Sequence, residues 1–422
     1  MGNTLLQLLM LLMVFFLPLS CSTFTGTRVE LTYIDSKGNF NKSELIQRAL
    51  ARDKIHLASF TASLSSTDAS ALIHWGSASY IMDFAIGTPG QVSSVLVATG
   101  SDLIWTQCQP CSRCFPQSTP IYDPAKSSTF KKLPCDGALC QALPDPSCNP
   151  DCSYSYSYLT GSSTRGVLAS ETFTLGSTDP VSIPDIGFGC STLNIGPQDS
   201  SSGILGLGRG PLSLVSQLDV GKFSYCLTSY LDNSTSPLLL GSTANLNGIA
   251  TQSTPFVTNP TIPYLSSFYY LSLKGITVGK TLVPISKTAF QLNADGSGGF
   301  IIDSTTTITY LIEEAYQLVK QEFISQMTFP PVEVTGALDI CFEIPPSTSS
   351  VSVPKLVFHF EGADMELPAA NYFIFYETYL CLMMNSLKGA SIFGNFQQQN
   401  MHILYDLANG ALSFEPAECN KL

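Results

Sequence analysis

The chain has 422 residues, a formal charge of −12 at neutral pH and charged side chains at only 12% of positions. So acidic a balance gives phosphates no basic face and excludes nucleic-acid binding, while the length exceeds one ordinary hydrophobic core and calls for two lobes of similar size. Frequent Gly and Pro with a mean hydropathy of +0.20 is the composition of an all-β protein rich in turns.

In chain order, Leu5 to Leu19 is an apolar run ended by Ser20-Cys21-Ser22. It is shorter than the ~20 residues a bilayer needs, so residues 1–22 read as a secretory signal peptide rather than a membrane span. Leu6 stands where a myristoylation signal needs Ser or Thr. From 23 to 79 the character changes, with six basic side chains against five acidic ones in an otherwise acidic chain. Within it, Ser43 to Arg52 has a capping residue followed by apolar positions at helical spacing. Tyr80 to Pro89 then opens the main body as a strand and turn.

Val95 to Cys108 reads as a buried strand, a tight turn at Ala98-Thr99-Gly100-Ser101, and a second strand containing Trp105. Far downstream the pattern returns, as Phe300-Ile301-Ile302 run into Asp303-Ser304-Thr305-Thr306. Thirteen cysteines become an even twelve once Cys21 leaves with the signal, and seven crowd between Cys108 and Cys152. With no histidine nearby, disulfides in an oxidising compartment are preferred to a metal knuckle. No metal and no cofactor are expected. Asn233-Ser234-Thr235 is a glycan acceptor sequence on a surface loop. Cys152 to Ser162 alternates and is aromatic, which predicts a hairpin strand in which Tyr154 and Tyr156 are packing residues. His56, His74, His359 and His402 form no ligand pair, and no role is assigned to them. Asp83 and Asp102 lie near the first turn and are read as structural.

The paired turns resemble the catalytic loops of the pepsin-like aspartic endopeptidases, in which each lobe carries Asp-Thr/Ser-Gly. The segments WTQCQPC, LPC, GILGLGRGPLSLVSQL, KFSYCL, FYYLSL, AYQLVKQEFISQ and SIFGNFQQQN, together with Cys419, are similar to the plant nepenthesins. The resemblance implies an all-β bilobal pepsin-like fold flanking a peptide-binding cleft, with 23–79 a prosegment, 80–240 the N-terminal lobe and 241–422 the C-terminal lobe. The first lobe would carry a Cys-rich insert at 108–152 and a flap at 152–166. Tyr158 occupies the flap tyrosine's position and Trp105 that of its hydrogen-bonding tryptophan, while Leu159 and Thr160 replace the usual Gly and Asp. Implied pairings are Cys108–Cys111, Cys114–Cys190, Cys135–Cys152, Cys140–Cys148, Cys226–Cys419 and Cys341–Cys381.

Asp303 matches the second catalytic aspartate; the first position is Ala98, and Thr305 stands where Gly is usual. Thr99, Gly100, Ser101, Ser304, Thr305 and Thr306 are the expected loop supports. Thr305, as a β-branched residue at a glycine position, is expected to displace the turn or force an unfavourable dihedral. Two neighbouring carboxylates normally share a proton and orient the attacking water between them, and a methyl at 98 supplies neither proton nor lone pair. The leading expectation is an inactive or severely impaired pseudoprotease that binds peptide or protein in its cleft. Alternatives are an acid endopeptidase working through Asp303, or an inhibitor-like binder of a secreted glycosidase. Either way the protein is expected to be a monomer, secreted or vacuolar.

Overall fold

The computed structural model describes residues 24–36, 38–64, 80–157, 163–195, 201–232, 234–259, 265–332, 338–346, 348 and 350–422. The elements that position the site are β1 (Gly26–Tyr33), α1 (Lys42–Leu64), β2 (Tyr80–Ile86), β3 (Gln91–Ala98), β4 (Trp105–Gln107) and β5 (Cys152–Ser157). They continue with β6 (Ser163–Leu175), β7 (Val181–Ile195), β8 (Gly203–Gly206), β9 (Lys222–Cys226) and β10 (Ser236–Gly241). The second half contributes β11 (Phe300–Ile302), β12 (Thr309–Ile312), α2 (Glu313–Gln326), β13 (Ser391–Phe393), β14 (Met401–Asp406) and β15 (Ala411–Pro416). The expected all-β, two-lobed architecture is present.

One 15-stranded sheet runs from the second lobe into the first, with β15-β14-β9-β10-β1-β2-β3-β8-β4-β7-β6-β5 as consecutive neighbours. β1 is therefore an interior strand. It pairs antiparallel with β10 from Gly26↔Gly241 to Leu31↔Ser236, and with β2 from Leu31↔Met82 to Tyr33↔Tyr80. Alternation explains its seat: Val29, Leu31 and Tyr33 are buried while Arg28 and Glu30 pair with each other on the other face. The apolar cores of the two lobes run together through this sheet, and a separate cluster built on Leu96, Trp105, Phe115, Tyr154 and Tyr156 backs the first turn.

α1 starts one residue before the expected cap. Asn41 Oδ1 accepts the Glu44 amide at 3.0 Å and Glu44 Oε2 accepts the Asn41 amide at 2.8 Å, a reciprocal capping box centred on Asn41 rather than Ser43. Among the described side chains of α1, Ile46, Ala49, Leu50, Asp53, His56 and Leu57 are buried, a single stripe at 3–4 residue spacing. Arg48 and Arg52 reach Asp35 at 2.8 and 2.6 Å, which ties α1 to the end of β1.

The disulfides correct four implied pairings. Cys108 bonds Cys190, and Cys111 bonds Cys114, in place of Cys108–Cys111 and Cys114–Cys190. β4 lies parallel to β7 with Thr106 opposite Cys190, so Cys108 leaves the strand beside Cys190, with a Cα separation of 5.4 Å, and the Cys111–Cys114 loop closes on itself. Cys135 bonds Cys148, and Cys140 bonds Cys152, in place of Cys135–Cys152 and Cys140–Cys148. Cys148 and Cys152 are direct cross-strand partners whose bonds run to different residues of the preceding segment. Cys226–Cys419 and Cys341–Cys381 are present as implied. No helix among the described residues is long and apolar enough to cross a membrane. The signal-peptide reading of 1–22 and the glycan acceptor Asn233 lie outside the described residues.

Candidate active site

β3 delivers Ala98 and β11 delivers Asp303 to the same place by the same construction. β8 runs parallel to β3 with Gly206 opposite Ala98, and β13 runs parallel to β11 with Phe393 opposite Ile302. On their other edges Ile204 of β8 faces Trp105 and Ile392 of β13 faces Tyr310. Trp105 follows Ala98 at the same interval as Tyr310 follows Asp303. Glycine is required at the crossing strands: a β-carbon on Gly206 would lie 2.2 Å from the Asp102 carbonyl oxygen, and one on Gly394 2.3 Å from that of Ile308.

The turns are then stitched across a pseudo-twofold. The Thr99 amide donates to Ser304 Oγ at 3.1 Å, the Ser304 amide donates to Thr99 Oγ1 at 2.9 Å, and the two hydroxyls are 3.2 Å apart. The residues preceding this reciprocal pair, Ala98 and Asp303, are therefore equivalents, and both are buried. Ser101 and Thr306 are equivalents in the same sense. Gly100 leaves space its neighbours use, since a β-carbon there would meet the Phe268 ring at 2.8 Å and Asp303 Oδ1 at 3.4 Å.

Thr305 corrects an expectation. Among the described residues the positive-φ positions other than glycine are Asp185, Asp219, Glu377 and Asn400, so the Thr305 backbone is not forced into the left-handed region. Its hydroxyl instead donates to Asp303 Oδ2 at 2.6 Å, its amide donates to Oδ1 at 3.1 Å, and the Thr306 hydroxyl and amide donate to Oδ2 at 2.7 and 3.1 Å. The Asn395 side-chain amide donates to the Ser304 carbonyl at 2.9 Å, which fixes the turn from behind.

The Thr99 hydroxyl also reaches Asp303 Oδ1 at 3.5 Å, and a further partner of Asp303 comes from α1. His56 Nε2 lies 3.3 Å from Asp303 Oδ2. One turn earlier, Asp53 Oδ1 accepts the Thr307 amide at 2.7 Å, and Oδ2 accepts the Ile308 amide at 3.0 Å and the Tyr310 hydroxyl at 3.3 Å. Burial by itself would push Asp303 up, but the His56 imidazole and the Thr305 and Thr306 hydroxyls hold it well below the usual carboxylate range. Burial wins at Asp53, pushing it up to about 6 against the amides of Ile308 and Thr307 and the nearby His56. Two buried polar residues on the apolar stripe of an amphipathic helix are the signal that could have flagged Asp53 and His56. The scattered placement of the histidines along the sequence concealed it.

Asp102 is engaged by other partners, in line with its structural reading. It accepts Ser267 Oγ at 2.5 Å and the Gly210 amide at 2.8 Å, joining the lobes beside a cavity of about 340 Å³ lined by Gly100, Leu103, Tyr156, Leu212 and Ser266. Burial raises its carboxyl above the ordinary value despite those two donors. Asp83 is exposed. Trp105 is buried with its ring edge-on to Phe115, while Tyr158, Leu159 and Thr160, assigned to the flap, lie outside the described residues. Tyr154 packs edge-on against Tyr156, and Tyr156 also lines the cavity. Among the described residues no cluster of His, Cys, Asp and Glu is arranged to hold a metal.

Residues 80–242 match the family model described as xylanase inhibitor N-terminal, and residues 268–416 match the one described as xylanase inhibitor C-terminal. The chain is 48% identical to aspartic proteinase nepenthesin-1 of Nepenthes gracilis over 94% of its own length and 91% of the relative's. It is 45% identical to nepenthesin-2 of the same plant over 93% and 90%. Among solved structures it superposes on edgp with a TM-score of 0.68 at 19% identity, covering 94% of this chain and 96% of that one. On an aspartic proteinase from Irpex lacteus the TM-score is 0.57 at 17% identity, covering 81% and 95%.

Proposed function

Since the chain belongs to the nepenthesin-like group of the pepsin-like aspartic endopeptidases, we propose that it is a pseudoprotease, a member that keeps the peptide cleft and has given up the chemistry. The observation that carries this reading is the pairing of Ala98 with Asp303 across the stitched turns. Aspartic catalysis needs one carboxyl to take a proton from water while its neighbour gives one to the substrate. Asp303 is surrounded by donors that favour its anion, and its counterpart is a methyl group. An anion with no proton to share is a poor general acid, and each lost acid–base role costs on the order of 10²–10⁴ in rate.

On this reading residues 1–22 direct secretion, to the cell exterior or a vacuole, and 23–79 is a prosegment whose helix fills the cleft of a monomer. Retention of the two lobes, the disulfides and the loop stitching alongside loss of the acid supports binding of a peptide or protein rather than its hydrolysis. The test is to incubate the purified chain with acid-denatured globin between pH 2.5 and 6, beside an Asp303→Asn variant. Equal, background-level peptide release from both is expected. Release that disappears in Asp303→Asn would establish an active endopeptidase.

A further inference from the structure

The amides of Thr307 and Ile308 are aimed by backbone that α1 does not supply. The Asn395 and Phe396 amides donate to the carbonyls of Thr306 and Thr307, both at 2.8 Å. Gly394 packs against the Ile308 carbonyl too closely for any β-carbon, and the Thr309 hydroxyl bonds Gln397 at 2.8 Å. The second lobe therefore holds two successive N–H groups and the Tyr310 hydroxyl facing one point, and a fully buried carboxylate occupies it. Each amide takes a different oxygen of that carboxylate. A neutral side-chain amide would offer one acceptor there and turn its NH2 group toward the second donor.

We propose that Thr307, Ile308 and Tyr310 form a carboxyl-selective subsite of the cleft, and that together with Asp303 they recognise a helical peptide segment carrying an acid and, three residues later, a base. α1 is the built-in example: Asp53 and His56 share one helix face, as i and i+3 residues do, and reach the two receptors together. The loss of the partner acid turns Asp303 from a proton-sharing group into a fixed anion suited to a basic side chain. This inference rests on the reading that the cleft binds peptide.

The test uses the full chain with Leu50→Asp and Asp53→Ala, which places a charge on the buried stripe of α1 and removes its own carboxylate. Synthetic peptides spanning 42–64 are titrated in, as the natural sequence, as Asp53→Asn and as Asp53→Glu. Amide-exchange protection of residues 304–311 and calorimetric affinity are the readouts. The natural peptide is expected to protect Thr307 and Ile308. The Asn peptide should bind roughly 10- to 100-fold more weakly, the cost of leaving one of the two buried amides without an acceptor, and the Glu peptide should keep most of the affinity. Equal affinity for the natural and Asn peptides overturns the carboxyl subsite while leaving cleft binding in place. Binding of neither peptide overturns the peptide-cleft reading itself, and the subsite with it. Should the double variant fail to fold, the single Asp53→Asn chain decides: it should lose protection of α1 and of residues 304–311, and unchanged protection overturns the proposal.

Discussion

The carboxylate of Asp303 is crowded by donors, and its neighbours fix what can be restored. Ala98→Asp would set a second carboxyl beside it, and in so buried a place the newcomer would hold its proton. The Thr305 hydroxyl would still occupy Oδ2, where a shared water must bond. With Asp53→Asn and His56→Ala present throughout to release α1, Ala98→Asp alone is expected to stay near background on acid-denatured globin. Ala98→Asp with Thr305→Gly should be at least ~10-fold faster, since a displaced group near the reacting atoms costs about 10² in rate, and pepstatin should abolish the difference. Equal rates would show that Thr305 is not the obstacle. A second residue, Thr99, is judged on stability: Thr99→Val removes the acceptor of the buried Ser304 amide and should lower unfolding free energy by about 1–3 kcal/mol, measured by denaturant titration.

At the scale of the element, α1 is a ligand held in place by ionisable groups, so its docking depends on pH in a direction that can be worked out. Asp53 is raised when docked, to about 6; its contribution is complete below the ordinary carboxylate range and is lost as pH rises through about 6. His56 of α1 depresses Asp303 on docking, beyond what the Thr305 and Thr306 hydroxyls of its own loop do; this contribution is present above the ordinary carboxylate value of about 4 and fades as pH falls below it. His56, Arg52, Tyr33, Tyr230 and Tyr310 are the other ionisable groups interacting with Asp53. Docking is expected to be tightest between about pH 4 and 6 and looser at pH 7.5, read as amide-exchange protection factors across residues 46–57. Protection that rises steadily from pH 5 to 8 would refute this. The cap gives a separate handle: Asn41→Ala should cost about 1 kcal/mol of helix stability and loosen the first turn without touching Asp53.

For the whole molecule, the placing of β1 matters more than its sequence. An interior strand between β10 and β2 leaves two unpaired edges and an uncovered apolar face when it is lost. A chain beginning at Tyr80 is therefore expected to bind a hydrophobic dye and to self-associate, whereas the chain retaining 23–64 should remain dispersed, as size-exclusion chromatography would show. On the pseudoprotease reading proposed above, acidification alone should leave the segment attached, as N-terminal sequencing would show. The Cys226–Cys419 bond closes a loop with a sequence separation of 193, which in the chain-entropy account contributes up to about 5 kcal/mol. Replacing both cysteines with serine should lower the midpoint of unfolding more than replacing the local Cys111–Cys114 pair.

The sequence by itself determined the fold class, the two equivalent turns and the absence of an acid at position 98. Each of these is written in local pattern: apolar strands entering short hydroxyl-rich turns, and glycines where strands cross. The disulfide partners in the crowded stretch were not legible there, because Cys108 meets Cys190 only through the parallel pairing of β4 with β7, which brings together residues 82 apart in the chain. Nor could spacing show that Thr305 caps Asp303 rather than straining its loop. Tertiary structure alone decided the roles of Asp53 and His56. Their helix was visible as a periodic segment, but what its polar pair faces is set by the strands of the second lobe, more than two hundred residues away, and long-range docking of this kind leaves no period in the sequence.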